Sequence, residues 1–129
     1  MTTPTQVVQG FVEAFVAAWP AGDAPTVAAF FADGASYHNG PLEPVHGRAA
    51  IQAALAEFMA MGGDVTVDML NLLSDDRVVM TERIDHFVMG GKAFSLPVMG
   101  IFEIADGKIT AWRDYFDLGQ FSSLFDSQH

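Results

Sequence analysis

Three ionisable side chains in two alternating segments have the types and spacing for chemistry on a bound substrate. Arg83 and Asp85 are two residues apart in a segment of alternating apolar residues, and in a β-strand such residues point to the same face. Asp114 lies in a second segment, on the same face as Trp112 and Phe116. If both faces line one pocket, two carboxylates and one guanidinium meet in an apolar environment.

This combination suits acid–base chemistry. A buried charge is stable only when it is paired, so an arginine between two carboxylates is the favourable arrangement and leaves about one net negative charge. One proton then neutralises the group, and unequal surroundings separate the pKa values of the two carboxyls. Asp85 and Asp114 could therefore act as a general acid and a general base at neutral pH.

The opposite strand face gives a second interpretation, which the sequence leaves open. Arg83 and Asp85 would then form a salt bridge on the outer surface, and Asp114 would be a solvated charge. The pocket would contain Glu82 and His86 instead, although that face has no more apolar residues than the other.

A second polar pair, Tyr37 and Asn39, shares one face if its segment is extended. A phenol and a carboxamide side by side can hold a water molecule from two directions while a carboxylate removes its proton. Asn39 is followed by Gly40 and Pro41, and Asn-Gly-Pro is a common turn. A purely structural role for Asn39 therefore stays open.

Other kinds of active site have little support in the sequence. His38, His46 and His86 show no metal-ligand spacing, and the chain has no cysteine. It contains no HExxH, P-loop or GxGxxG motif and no serine in a nucleophile elbow. We therefore expect no metal site and no cofactor.

Composition and charge limit the domain organisation and the partners. A chain of 129 residues is expected to form one domain over residues 1–129. Because 50% of its residues are apolar, it is not a disordered chain and has enough apolar residues to enclose a cavity. A net charge of −10 repels nucleic acid and anionic membranes, and no stretch resembles a signal peptide or a membrane span. We expect a cytoplasmic protein.

Three helices are predicted before the alternating segments. The Thr-Pro-Thr-Gln sequence of residues 3–6 is typical of a capped helix start, and this helix should run to about Trp19. Asp23 caps a second helix, which should run through Phe31. A third helix is expected over residues 48–61, between glycine stops.

The rest of the chain has the pattern of an antiparallel sheet. Turn residues divide it into four alternating segments, joined by short loops, at residues 65–73, 78–89, 92–105 and 108–116. Residues 35–38 could add a short strand, and Pro97 and Gly100 indicate a bulge or bend. The predicted fold class is α+β: a strongly curved, mixed or antiparallel sheet with three N-terminal helices that form a cone around a deep pocket.

The polar residues resemble the active-site set of limonene-1,2-epoxide hydrolases. The matching positions, in this order and after three helices, are Tyr37-x-Asn39, Arg83-x-Asp85 and Asp114. The resemblance spans nearly the whole chain and implies the nuclear transport factor 2-like fold. That fold is usually a homodimer through the outer face of its sheet, where we expect Ile84, Val88 and Tyr115.

The resemblance also implies a role for each residue. Asp114 would be the base that takes a proton from a water molecule held by Tyr37 and Asn39. Asp85 would donate a proton to the epoxide oxygen as the ring opens, and Arg83 would bridge the two carboxylates. The water would attack directly and give a vicinal diol, so no covalent ester with the enzyme would form.

An apolar pocket follows from the same resemblance, and with it an apolar substrate, either terpene-like or a small cyclic epoxide. The side chains expected to face this substrate are Val16, Trp19, Phe58, Phe87, Leu96, Val98, Phe116 and Phe121. Those at positions 87, 96, 98 and 116 also fit the strand face that carries the acidic residues.

Two other functions stay open on the same fold. Steroid isomerases and polyketide cyclases need one base and one oxyanion donor, which Asp114 and Tyr37 could supply. A binding module without catalysis would need only the apolar pocket. Neither function gives Arg83 and Asp85 a purpose, although burial of an ion carries a large desolvation penalty.

Overall fold

Three helices lie in the N-terminal half of the chain in the computed structural model, which describes residues 2–120. They are α1 (Pro4–Ala18), α2 (Ala24–Ala28) and α3 (Arg48–Met59). The predicted start of α1 is confirmed. Thr3 Oγ1 accepts a hydrogen bond from the Gln6 backbone N–H (3.1 Å), and Gln6 Oε1 accepts one from the Thr3 N–H (2.9 Å). Within residues 2–120, no helix is both long and apolar enough to span a bilayer.

The second helix is shorter than predicted. It ends at Ala28 rather than Phe31, where a strand, β1 (Phe31–Asn39), begins instead. The cause is a contact with a distant part of the chain, because the Phe30 carbonyl accepts a hydrogen bond from the Ile109 N–H at 2.9 Å. The short strand that the sequence suggested is the second half of β1. The third helix also ends two residues before its predicted end.

Five further strands complete the sheet: β2 (Val45–His46), β3 (Asp64–Ser74), β4 (Val78–Met89), β5 (Lys92–Ala105) and β6 (Lys108–Tyr115). The order across the sheet is β2-β1-β6-β5-β4-β3. The last four strands form the predicted antiparallel meander, while β1 lies parallel to β6. The predicted α+β class with a mixed sheet is thus confirmed. The sequence did not reveal β2, because two residues are too few for a pattern.

Of the predicted bulge or bend at Pro97 and Gly100, the bulge is wrong. β4 and β5 pair without a register shift along their whole length. Among the described residues, β5 pairs with β6 only from Met99 to Ala105. Pro97 lies before this range, so its missing N–H breaks no bond to β6. The register shifts lie elsewhere, at Leu70 in β3, at Thr110 in β6 and between Phe31 and Ser36 in β1, and shifts of this kind bend a sheet.

The core lies between the helices and the face of the sheet that they cover. Phe11 of α1 contacts Phe31, Phe102 and Trp112 at ring-centroid distances of 5.5, 5.7 and 5.0 Å. All three pairs are edge-to-face, which is a favoured arrangement of aromatic rings. Trp112 also stacks on Tyr37, so the aromatic core continues into the predicted polar site.

Candidate active site

Alternation along β4 decides which side chains face the helices. Thr81 and Arg83 are buried, whereas Met80 and Glu82, which alternate with them, are exposed. Arg83 is 4% exposed, and Asp114 on β6 is 5% exposed. The interpretation of these residues as a salt bridge on the outer surface is therefore wrong.

Arg83 binds two aspartates at once. Its Nε and Nη2 donate hydrogen bonds to Asp85 Oδ1 and Oδ2 at 3.1 and 3.0 Å. Its Nη1 and Nη2 donate to Asp114 Oδ1 and Oδ2 at 3.2 and 3.0 Å. Each carboxylate receives two N–H bonds, the geometry that a guanidinium matches best. Burial acts to lower the pKa of Arg83, but the two carboxylates raise it above its ordinary value.

Asp114 is the more enclosed of the two acids. Its side chain is 7% exposed, against 13% for Asp85. Trp112 Nε1 donates a third N–H bond to Asp114 Oδ1, at 2.8 Å. Burial raises the pKa of Asp114 above its ordinary value, although Arg83 and the Trp112 bond oppose the rise. Asp114 therefore has a higher proton affinity than an exposed aspartate.

Tyr37 and Asn39 reach the same place from β1. Because β1 runs parallel to β6, Tyr37 lies beside Trp112 and Asn39 beside Asp114. The Tyr37 ring stacks on Trp112 with centroids 4.2 Å apart. Burial and the nearby Asp114 raise the pKa of Tyr37 well above its ordinary value, so the phenol stays protonated and can donate a hydrogen bond.

Asn39 also has the turn role that the sequence left open. β1 ends at this residue, and its carbonyl accepts a hydrogen bond from the Leu42 N–H at 3.1 Å. Gly40 has a φ of +56°, which favours glycine, and its N–H donates to the Asp114 carbonyl at 2.7 Å. A Cβ atom on Gly40 would lie 2.6 Å from the Phe116 ring. The turn therefore holds Asn39 beside Asp114 and leaves space for the Phe116 ring beside Gly40.

A cavity between the sheet and the helices opens onto these groups. Among the described residues, its polar lining consists of the five predicted side chains: Tyr37, Asn39, Arg83, Asp85 and Asp114. Every other lining residue is apolar. A bound molecule would therefore meet polar groups at one place and hydrocarbon or aromatic surface elsewhere.

Six of the eight predicted pocket residues line this cavity: Trp19, Phe58, Phe87, Leu96, Val98 and Phe116. The prediction for Val16 needs correction, because Val16 packs against the core, and Val12 and Phe15 line the cavity instead. At about 100° per residue, Val16 lies at the edge of the helical stripe formed by residues 12, 15 and 19. Phe121 lies outside the described residues.

Sequence reasoning missed several other lining residues. Met89 and Phe102 have the same strand parity as Arg83 and Val98, so alternation could have found them. Leu55 lies one helical turn before Phe58 and could have been found in the same way. The N–H of Trp112 was also missed, because the residue was interpreted only as an apolar member of its strand face.

His38, His46 and His86 belong to no metal-binding cluster in the described part of the chain. Within residues 2–120, no group of three or more histidine, cysteine, aspartate or glutamate side chains is placed to bind a metal ion. His86 instead bridges two residues on the outer face of the sheet. Its Nε2 lies 2.7 Å from Asp68 Oδ2, and its Nδ1 lies 2.6 Å from Ser95 Oγ.

The amino-acid sequence matches a protein family along almost its whole length. Residues 2–126 match the family model of the limonene-1,2-epoxide hydrolase catalytic domain. Epoxide hydrolase EphG of Mycobacterium tuberculosis (strain ATCC 25618 / H37Rv) is 34% identical over 108 residues, which cover 83% of this chain and 71% of that protein.

The solved structures that this chain resembles include an epoxide hydrolase. An M. tuberculosis LEH-like epoxide hydrolase has a TM-score of 0.75 at 32% identity, with 95% of this chain and 91% of that chain covered. A protein with a ketosteroid isomerase-like fold from Catenulispora acidiphila DSM 44928 has a TM-score of 0.77 at 23% identity, with 95% and 92% covered. The second similarity shows the fold alone. The nuclear transport factor 2-like fold implied by the sequence resemblance is thus confirmed.

Proposed function

The chain belongs to the limonene-1,2-epoxide hydrolase family, and on this premise we propose that it hydrolyses an apolar epoxide to a vicinal diol in one step. An activated water molecule attacks a ring carbon directly, without a covalent ester between enzyme and substrate. The proposed substrate is terpene-like or a small cyclic epoxide. The reaction uses neither a metal ion nor a cofactor.

The observation that carries this proposal is the Arg83 bridge, the ion pairs of Arg83 with Asp85 and Asp114, in the wall of a cavity whose lining is apolar apart from these residues, Tyr37 and Asn39. An epoxide has one polar atom on a hydrocarbon body, and the cavity likewise has its polar groups at one place. Opening of the ring needs a nucleophile at carbon and a proton at oxygen. Two carboxyls held by one guanidinium supply a base and an acid in fixed positions.

Asp114 is assigned as the base. Burial raises its pKa, so it takes a proton from water more readily than an exposed aspartate does. Its three N–H bonds, two from Arg83 and one from Trp112, favour the ionised form before the attack. Tyr37 and Asn39 hold the water molecule from the neighbouring strand.

Asp85 is assigned as the acid, as the family resemblance implies; it is the less enclosed of the two carboxyls and accepts two N–H bonds, both from Arg83, where Asp114 accepts three. As the water oxygen bonds to carbon, the water gives one proton to Asp114. The carbon–oxygen bond of the ring breaks, and the epoxide oxygen takes the proton of Asp85. Transfer of the proton from Asp114 to Asp85 then restores the resting state, so one water is added per turnover.

A panel of epoxides assayed for diol formation tests the proposal. We expect diols from apolar epoxides, no loss of rate after chelation of metal ions, and loss of turnover in Asp85→Asn. Asp68→Asn is the matched control, because Asp68 lies on the outer face with a side chain that is 66% exposed. If the protein left every epoxide intact but isomerised an enone or cyclised a polyketide ester, the isomerase or cyclase alternative would replace this proposal.

A homodimer through the outer face of the sheet is part of the proposal. Val88, Met99 and Tyr115 on that face are 44%, 51% and 51% exposed, and Met99 lies directly beside Tyr115. Large apolar side chains on a solvent-facing sheet are typical of an interface. Sedimentation should give the mass of a dimer for the wild type and of a monomer for Met99→Glu. A monomeric wild type would contradict the proposed homodimer.

A further inference from the structure

Gly100 leaves space for the Arg83 bridge. It lies in β5, opposite Thr81 of β4 and opposite Asp114 of β6. A Cβ atom on Gly100 would lie 2.7 Å from Asp114 Oδ1 and 2.8 Å from Thr81 Oγ1, and it would also collide with Arg83 Nη1. These three atoms belong to one hydrogen-bonded group. A methyl group at this position would therefore displace the bridge itself.

Backbone conformation does not explain the glycine at this position. Gly100 does not have a positive φ, unlike eight other glycines of the described chain. The β4–β5 pairing also continues through it without a register shift. The requirement for glycine therefore comes from space on the inner face of the sheet.

Thr81 completes the set of hydrogen-bond partners of Arg83. A guanidinium has five N–H groups, and four of those of Arg83 donate to the two aspartates. The remaining one, on Nη1, donates to Thr81 Oγ1 at 3.2 Å. The Thr81 hydroxyl in turn donates to the Gly100 carbonyl at 3.4 Å. Thr81 is fully buried, so bulk water cannot replace a lost bond.

We propose that Thr81 and Gly100 are positioning residues for the reaction, which set the geometry of the Arg83–Asp114 contact. Gly100 leaves the space that the guanidinium and the carboxylate occupy, and Thr81 accepts the fifth N–H. Neither residue lines the cavity, so both act through Arg83 and Asp114 rather than on the substrate. This inference rests on the proposed epoxide hydrolysis.

Gly100→Ala is the first test. We expect kcat to fall by about 100-fold with little change in KM, because a displacement of the reacting groups by about 1 Å has an effect of that size while the cavity lining is unchanged. Gly34→Ala is the matched control. Gly34 also lies in a strand without a positive φ, and nothing lies within 4 Å of an added Cβ. Wild-type kinetics are expected for this control.

Thr81→Val and Thr81→Ser form the second test, which does not depend on added bulk. Valine keeps the shape of threonine and removes the acceptor, so kcat should fall roughly tenfold or more. Serine keeps the acceptor and should restore most of the rate. If valine and serine lowered kcat equally, the hydroxyl would have no positioning role and the proposal would be overturned.

Titration of the Asp114 carboxyl in the resting enzyme, by ¹³C NMR with labelled aspartate, needs no turnover. A weaker contact with Arg83 leaves the carboxylate less stabilised, so its titration should move to higher pH in Thr81→Val and Gly100→Ala, but not in Thr81→Ser or Gly34→Ala. An unchanged titration would overturn the inference even if the wild type hydrolyses epoxides. If the wild type left epoxides intact, a shifted titration would still support the positioning pair, and only the proposed function would fail.

Discussion

The Arg83→Met variant should be much less stable than the wild type at neutral pH. Arg83 is buried, and the side chains of its partners Asp85 and Asp114 are only 13% and 7% exposed. Its removal leaves two carboxylates near each other in a poorly solvated site. Removal of one partner from a buried ion pair costs about 3–5 kcal/mol. That is a large part of the roughly 5–15 kcal/mol by which a typical domain is stable.

The loss of stability in Arg83→Met should depend on pH. Without the guanidinium, which opposes the effect of burial, the pKa of Asp114 in the folded variant lies still further above the unfolded value of about 3.9. The folded variant then binds protons more tightly than its unfolded chain does. Its stability therefore falls as the pH rises from about 4, and the deficit relative to the wild type is largest when both carboxyls are ionised.

Urea unfolding across the pH range measures this deficit, with Arg113→Met as the matched control. Arg113 and Glu103 form an ion pair at 2.6 Å on the outer face, with side chains 32% and 46% exposed. Exposed pairs contribute about 0–1 kcal/mol, so this control should lose little at any pH. Equal losses in the two variants, or a loss in Arg83→Met that does not change with pH, would refute the buried bridge.

Three further substitutions test single contacts of the site. Tyr37→Phe keeps the stack on Trp112 and removes the hydroxyl, so kcat should fall by about 100-fold at unchanged thermal stability; an unchanged kcat would remove Tyr37 from the reaction. Burial raises the pKa of Asp114. On acidification, wild-type kcat/KM should therefore begin to fall at a higher pH than it would if the base were an exposed aspartate. Trp112→Phe removes a bond that favours the ionised form and should move this loss to still higher pH; a pH–rate profile identical to that of the wild type would contradict the assignment. Leu96→Ala enlarges the cavity, so kcat/KM for bulky epoxides should rise relative to small ones, and a constant ratio would exclude Leu96 from substrate contact.

Local patterns were enough to predict the elements that carry the ionisable residues. The bounds of β4 and β5 follow from alternation and from the turn residues beside them, because each strand pairs with its neighbour in sequence. Alternation also placed Arg83 and Asp85 on one face. It did not decide which face is inside, because the two faces of β4 are similarly apolar; the helices that cover one of them decide this.

The remaining features depend on contacts between distant parts of the chain. Phe31 starts a strand instead of ending a helix because it pairs with β6, and no local pattern contains that information. The same parallel pairing brings Asn39 beside Asp114, which the sequence related only through a family resemblance. Gly100 was interpreted as a sign of a bulge or bend. The sequence shows that this residue has no side chain, but not which groups occupy the space.

A single turnover in ¹⁸O-labelled water, with enzyme in excess over epoxide, tests direct attack by water. The proposed mechanism predicts one ¹⁸O atom in the diol from this first turnover and none in the protein. A nucleophilic aspartate would instead give an unlabelled diol and an ¹⁸O-labelled carboxylate at Asp85 or Asp114. That result would contradict the assignment of the two aspartates as base and acid.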